Sequence, residues 1–120
     1  LRPMNSDHLI SEDDYVRDER LPYWADVWPS ARVLAARVRA MPLLDGIRPG
    51  DRVLELGCGS GVVAVAAARA GYHVTATDYY DDACRFTRAN VWRLTGHECE
   101  TRMVDWRAMP KDLGWFDCVL

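Results

Sequence analysis

A run of glycines between an apolar strand and an alanine-rich helix constrains this chain more than any other feature. It reads Val53-Leu54-Glu55-Leu56-Gly57-Cys58-Gly59-Ser60-Gly61, and from Val62 to Ala70 only Arg69 is polar. Arg52 to Leu56 has the length and composition of a strand. Ser60 to Ala70 reads as a helix closed by Gly71. A helix apolar on every side is buried between other elements. Glycines lacking a Cβ let the connecting backbone turn sharply and approach a ligand closely. The next helix offers free N–H groups to a carboxylate or phosphate. A dinucleotide fingerprint would be G-x-G-x-x-G. Gly57 and Gly59 fit it, but Val62 takes the third position and the last glycine comes one residue early, at Gly61. The pattern is therefore acid-x-Gly-x-Gly-x-Gly, with Glu55 as the acid.

The same alternation continues along the chain. Tyr72 to Thr77, Glu100 to Val104 and Phe116 to Leu120 read as strands, and Tyr80 to Leu94 as an amphipathic helix with Asp81 and Asp82 in its first turn and Gly96 at its end. Before the glycine run, Val33, Leu34, Arg37, Val38 and Met41 recur at helical spacing; Pro29 suits the first helical position and Pro42 a stop. Strands alternating with helices imply parallel strands and right-handed crossovers, an α/β doubly wound sheet of Rossmann type. Such sheets bind ligands beyond the carboxyl ends of their strands. Asp78 ends the second strand, where a carboxylate can accept two hydrogen bonds from a ribose diol or cap the next helix. Tyr79 offers a flat face to an adenine or packs as an ordinary aromatic. Asp105 and Trp106 end the third strand, as an acceptor and a wall for the adenine or as a loop acid beside a packed ring.

Charge and cysteine usage narrow the function classes. Net charge is −3, and six acids (Asp7, Glu12, Asp13, Asp14, Asp18, Glu19) against Arg2, Arg17 and Arg20 account for it, so residues 1–21 form an acidic segment, a tail or a short helix. No basic stripe invites a phosphate backbone, so nucleic acid is not an expected partner. No window holds the ~18 uncharged apolar residues of a membrane span, and no secretory signal pattern opens the chain. Cys58, Cys84, Cys99 and Cys118 form no C-x-x-C pair, and His8, His73 and His97 sit at no ligand spacing, so neither a metal site nor a disulfide framework is expected. The cysteines suit the reduced state of a cytoplasmic protein.

The motifs together resemble those of the class I, seven-strand S-adenosylmethionine-dependent methyltransferases. Val53 to Gly61 looks like their glycine-rich first motif, Thr77-Asp78 the acidic second, Asp105-Trp106 the third, and Phe116-Asp117-Cys118-Val119-Leu120 the strand leading to the fourth. Pro22-Tyr23-Trp24-Ala25-Asp26-Val27-Trp28-Pro29-Ser30-Ala31 is similar to a segment of the protein-lysine and nicotinamide-methyltransferase-like group. The resemblance implies a strand order 3-2-1-4 and S-adenosyl-L-methionine as cofactor, with S-adenosyl-L-homocysteine as product and no metal. It implies that Gly57, Gly59, Gly61 and the backbone of Cys58 hold the methionine portion, and that Glu55 anchors the loop or reaches the amino group through water. Asp78 would hold the ribose, Asp105 the adenine beside Tyr79 and Trp106, and Trp28 would lie against the cofactor. The resemblance implies a nitrogen acceptor, with a protein lysine and a small heterocyclic amine both open, and no catalytic residue can be named. Two other readings stay open: a nucleotide-dependent oxidoreductase, disfavoured by the glycine spacing, and a truncated, non-catalytic cofactor-binding module. The expectation is that residues 22–120 are the first part of the domain, cut at the C-terminal end, with an uncovered sheet edge and poor stability alone.

Overall fold

The computed structural model describes residues 1–4, 9, 11–13, 16, 21–44 and 46–120. Asp7, Asp14, Asp18 and Glu19, and with them the reading of the acidic segment as tail or helix, lie outside the described residues. Helix α1 (Pro29–Leu44) leads to strand β1 (Arg52–Leu56), helix α2 (Val62–Arg69), strand β2 (His73–Asp78), helix α3 (Asp81–Thr95), strand β3 (Glu100–Met103) and strand β4 (Cys118–Val119). All pairings are parallel, in the order β3-β2-β1-β4. The expected α/β doubly wound sheet and its 3-2-1-4 order are therefore what the chain forms. Among the described residues no helix is long and apolar enough to cross a membrane.

The register places Glu55 opposite Ala76 and Leu56 opposite Thr77, so the ends of β1 and β2 lie side by side. Strand β4 is shorter than the run from Phe116 suggests. Its ladder still extends through Asp117 N–H to the Arg52 carbonyl (2.8 Å), Leu120 N–H to the Leu54 carbonyl (2.8 Å) and Leu56 N–H to the Leu120 carbonyl (3.1 Å).

The core lies between sheet and helices. Val38 and Met41 of α1, Val53 of β1, Val63, Ala64 and Ala67 of α2, Val74 and Ala76 of β2 and Val91 of α3 are all buried. Each buried valine contributes roughly 1.5–3 kcal/mol over an exposed one. Three expectations are corrected. Pro42 does not stop α1, which runs to Leu44; in the last turn a proline removes only the N–H that Val38's carbonyl would accept. Val33 points to solvent, and the buried stripe of α1 runs through Leu34, Val38 and Met41. Helix α2 starts at Val62 rather than Ser60, because the glycine loop extends to Gly61, whose φ of 86° is left-handed.

Candidate functional site

The loop after β1 is fastened on two sides. Toward β2, the N–H groups of Gly57 (2.8 Å) and Cys58 (2.9 Å) both donate to the Thr77 carbonyl, and Gly59 N–H donates to an Asp78 carboxylate oxygen at 2.9 Å. The other Asp78 oxygen accepts from Tyr80 N–H at 3.1 Å, at the start of α3. Toward α3, Thr87 Oγ1 donates to the Gly59 carbonyl (3.1 Å) and Asn90 Nδ2 to the Ser60 carbonyl (2.7 Å). Gly61 permits that contact: a Cβ there would stand 2.9 Å from Thr87 Cα. The polar residues buried on α3 therefore hold the loop, a role its amphipathic pattern does not reveal.

Above the loop, at the carboxyl ends of β1, β2 and β3, opens a cavity of about 740 Å³. That lies within the ~300–1,000 Å³ typical of small-molecule sites. Trp28, Glu55, Gly57, Cys58, Gly59, Asp78, Tyr79, Asp105 and Trp106 all line it. Gly61 does not; it belongs to the packing against α3 and to a groove on the other side of the loop. The sequence reading missed Tyr23, Asp26, Tyr80 and Arg107, which also line the cavity.

Two carboxylates form its floor. Glu55 is 4% exposed and Asp78 7%. Glu55 Oε2 has no hydrogen-bond partner among the described residues. Burial, then the neighbouring Asp78 charge, pushes the Glu55 carboxyl up to about 8, against a weaker opposing effect of a hydrogen bond from the Ala64 backbone. A buried, half-partnered acid is costly to ionise unless a cation or donor arrives. The neighbouring Cys84 thiol and burial push the Cys58 thiol up.

The walls are aromatic. The Trp-rich segment divides its work. Trp24 is buried against Phe86, with ring centroids 5.4 Å apart, and its carbonyl lies 3.1 Å from where a Cβ on Gly59 would stand. Trp28 is 51% exposed, meets Tyr23 edge-on at 5.8 Å and donates from Nε1 to the Tyr23 carbonyl at 3.0 Å. On the opposite wall, Trp106 stands over Gly57, where a Cβ would meet its ring at 3.0 Å. Asp105 caps the short turn Trp106–Ala108 by accepting from Arg107 N–H. It also takes the Arg107 guanidinium, which holds its carboxyl below the usual range.

Among the described residues no group of three or more His, Cys, Asp or Glu side chains gathers as a metal site would require. The arrangement suits an organic ligand with a cationic end near Glu55 and a flat ring between Tyr79 and Trp106.

Comparison with known proteins agrees with this shape. A family described as a methyltransferase domain matches residues 53–120. An uncharacterized protein of Mycobacterium tuberculosis is 44% identical over 75 residues, 62% of this chain and 27% of that protein. The electron transfer flavoprotein beta subunit lysine methyltransferase of Danio rerio is 39% identical over 70 residues, 58% of this chain and 26% of that protein. The N-terminal domain of EvdMO1, solved in the presence of S-adenosylhomocysteine and D-fucose, superposes with a TM-score of 0.56 at 27% identity, covering 78% of this chain and 39% of that one. The chain spans about a quarter of the length of the curated relatives it matches.

Proposed function

The chain belongs to the methyltransferase-domain family, and from that premise we propose that it carries the cofactor site of an S-adenosylmethionine-dependent methyltransferase. One observation carries the reading: a fastened glycine loop and two buried acids, Glu55 and Asp78, form the floor of an aromatic-walled cavity at the carboxyl ends of three parallel strands. Bound S-adenosylmethionine would supply an electrophilic methyl group on a sulfonium.

The chain's own residues supply binding and exclusion of water. Gly57, Cys58 and Gly59 contribute backbone beside the methionine portion. The unpartnered Glu55 oxygen is an acceptor for a protonated amine, directly or through water. Each Asp78 oxygen accepts one backbone N–H, which leaves lone pairs for a ribose diol. Tyr79, Asp105 and Trp106 form the adenine end, and Trp28 covers the cofactor and helps to keep water from the transfer.

The domain reading is residues 22–120, with 1–21 as an acidic appendage. The acceptor is a nitrogen. The likeness to the Danio rerio lysine methyltransferase and the Trp28-Pro29-Ser30 segment favour a protein lysine over a small heterocyclic amine. The absence of a basic stripe in the sequence argues against nucleic acid, and the lone cysteines fit a cytoplasmic protein.

Calorimetric titration with S-adenosylhomocysteine and with NAD tests the proposal, followed by transfer of a labelled methyl group to lysine-containing protein. NAD binding without S-adenosylhomocysteine binding would refute it. Binding without any transfer would favour the non-catalytic module.

A further inference from the structure

We propose that a groove along α2, walled by α1 and α3, docks an acidic, partly apolar segment of the protein that carries the acceptor lysine. The proposal rests on the cofactor and protein-lysine readings above. Three helix faces build the groove, which encloses about 1000 Å³. Arg32, Ala35, Ala36 and Arg39 recur at i, i+3, i+4 and i+7 and so form one stripe of α1. Val62, Val65, Ala66 and Arg69 repeat that spacing on α2. Asn90 and Leu94, one turn apart on α3, close the other side. Helix α2 packs into the core through Val63, Ala64 and Ala67, and its other apolar side is the floor of this groove.

The charges around the groove are of one sign. Arg2, Arg32, Arg39 and Arg69 line it, and no Asp or Glu does. None of the four is in an ion pair among the described residues. The cofactor cavity is the reverse: its charged lining is Asp26, Glu55, Asp78 and Asp105 against Arg107, which Asp105 holds. Groove and cavity meet at Val27, Ser60 and Val62, which line both. A lysine ammonium is therefore drawn to the cavity side and its acidic neighbours to the groove side, which orients one polypeptide across both. The apolar floor favours a polypeptide. An amphipathic segment buries apolar side chains there while its carboxylates reach the arginines, whereas a phosphate backbone uses the arginines alone. One end of the groove already takes main chain: Asn90 Nδ2 donates to the Leu1 carbonyl at 2.7 Å, and the Leu1 amino group donates to Asn90 Oδ1.

The test is fluorescence anisotropy of the full chain with two labelled peptides that share Leu at helical spacing and one central Lys, one filled with Glu and the other with Arg. The Glu peptide should bind at least about tenfold tighter and weaken as salt is added. Arg32→Glu combined with Arg39→Glu should cost it at least about tenfold, because attraction becomes repulsion. Both side chains are exposed and outside the cavity lining, so S-adenosylhomocysteine affinity should stay as it was. Equal binding of the two peptides, or no loss in the double variant, would overturn the proposal. So would tighter binding of single-stranded RNA or of phosphatidylserine vesicles than of the Glu peptide. A gain of about tenfold or more on Glu12→Gln with Asp13→Asn would give the groove to the chain's own acidic segment and overturn it as well. Failure of S-adenosylhomocysteine to bind, with the peptide preference intact, would remove the cofactor reading beneath it and with that the acceptor role of the groove.

Discussion

Glu55→Gln should flatten the pH dependence of stability between pH 5.5 and 7.5. The glutamate carboxyl is raised from 4.5 to about 8 in the folded chain, by burial first and by the Asp78 charge second. Between those two values the folded state keeps a proton that the unfolded state releases. The slope of unfolding free energy with pH is then negative. The stability tied to this proton is fully present below pH 4.5 and falls until the pH passes about 8. One proton changes stability by about 1.4 kcal/mol per pH unit, so two units correspond to a loss of about 3 kcal/mol. For a chain of this size that is a drop of roughly 10–15 °C in midpoint. Glutamine keeps the shape and has no carboxyl to titrate. The assay is thermal or urea unfolding of both chains at pH 5.5, 6.5 and 7.5, reading the difference between the two curves so that all other titrating groups cancel. Parallel curves would refute the reasoning: Glu55 would then be ionised and satisfied in the folded chain, and the orphaned Oε2 would be no feature of the protein in solution.

Three further substitutions separate binding from scaffolding. Asp78→Ala removes the acceptor for Gly59 and Tyr80 N–H and should weaken S-adenosylhomocysteine binding by roughly 1.5–3 kcal/mol; unchanged affinity in a calorimetric titration would make Asp78 a loop support alone. Gly61→Ala meets Thr87 Cα at 2.9 Å with a left-handed φ and should cost about 1–3 kcal/mol, read as a lower urea midpoint. Trp28→Ala, at a half-exposed position, should move the midpoint by less than about 0.5 kcal/mol while lowering cofactor affinity; a large stability loss with intact binding would assign Trp28 to the cover and not to the site.

How much of this was legible from sequence depends on the range of the interaction involved. The strand–helix alternation located all four strands: β1 and β2 are buried along most of their length, whereas β3, Glu100-Thr101-Arg102-Met103, is polar and was marked by its place between helix and loop. The glycine spacing and the acid two residues before it marked the loop, since a sharp turn and a close approach leave few residues that fit. Asp78 followed from its position at a strand end. Arg107 was not legible: exposed and charged, it resembles any surface arginine until the chain brings Tyr79 and Asp105 within its reach. Thr87 and Asn90 were hidden for the opposite reason, as polar residues on an otherwise ordinary amphipathic helix whose partners lie some 30 positions away.

The same contrast applies to Gly61, which lies outside the cavity lining. A glycine motif in sequence says that a Cβ is forbidden, and it does not say what would collide with it. At Gly57 the obstacle is Trp106, a wall of the cavity, so that glycine shapes the ligand site. At Gly61 the obstacle is the backbone of α3, so that glycine sets how closely helix and loop pack. Its effect on any ligand therefore passes through the Thr87 and Asn90 tethers. Thr87→Val should accordingly loosen the loop and weaken cofactor binding modestly, although Thr87 lies outside the cavity lining. Equal binding with an unchanged urea midpoint would show that the loop holds its shape through β2 alone.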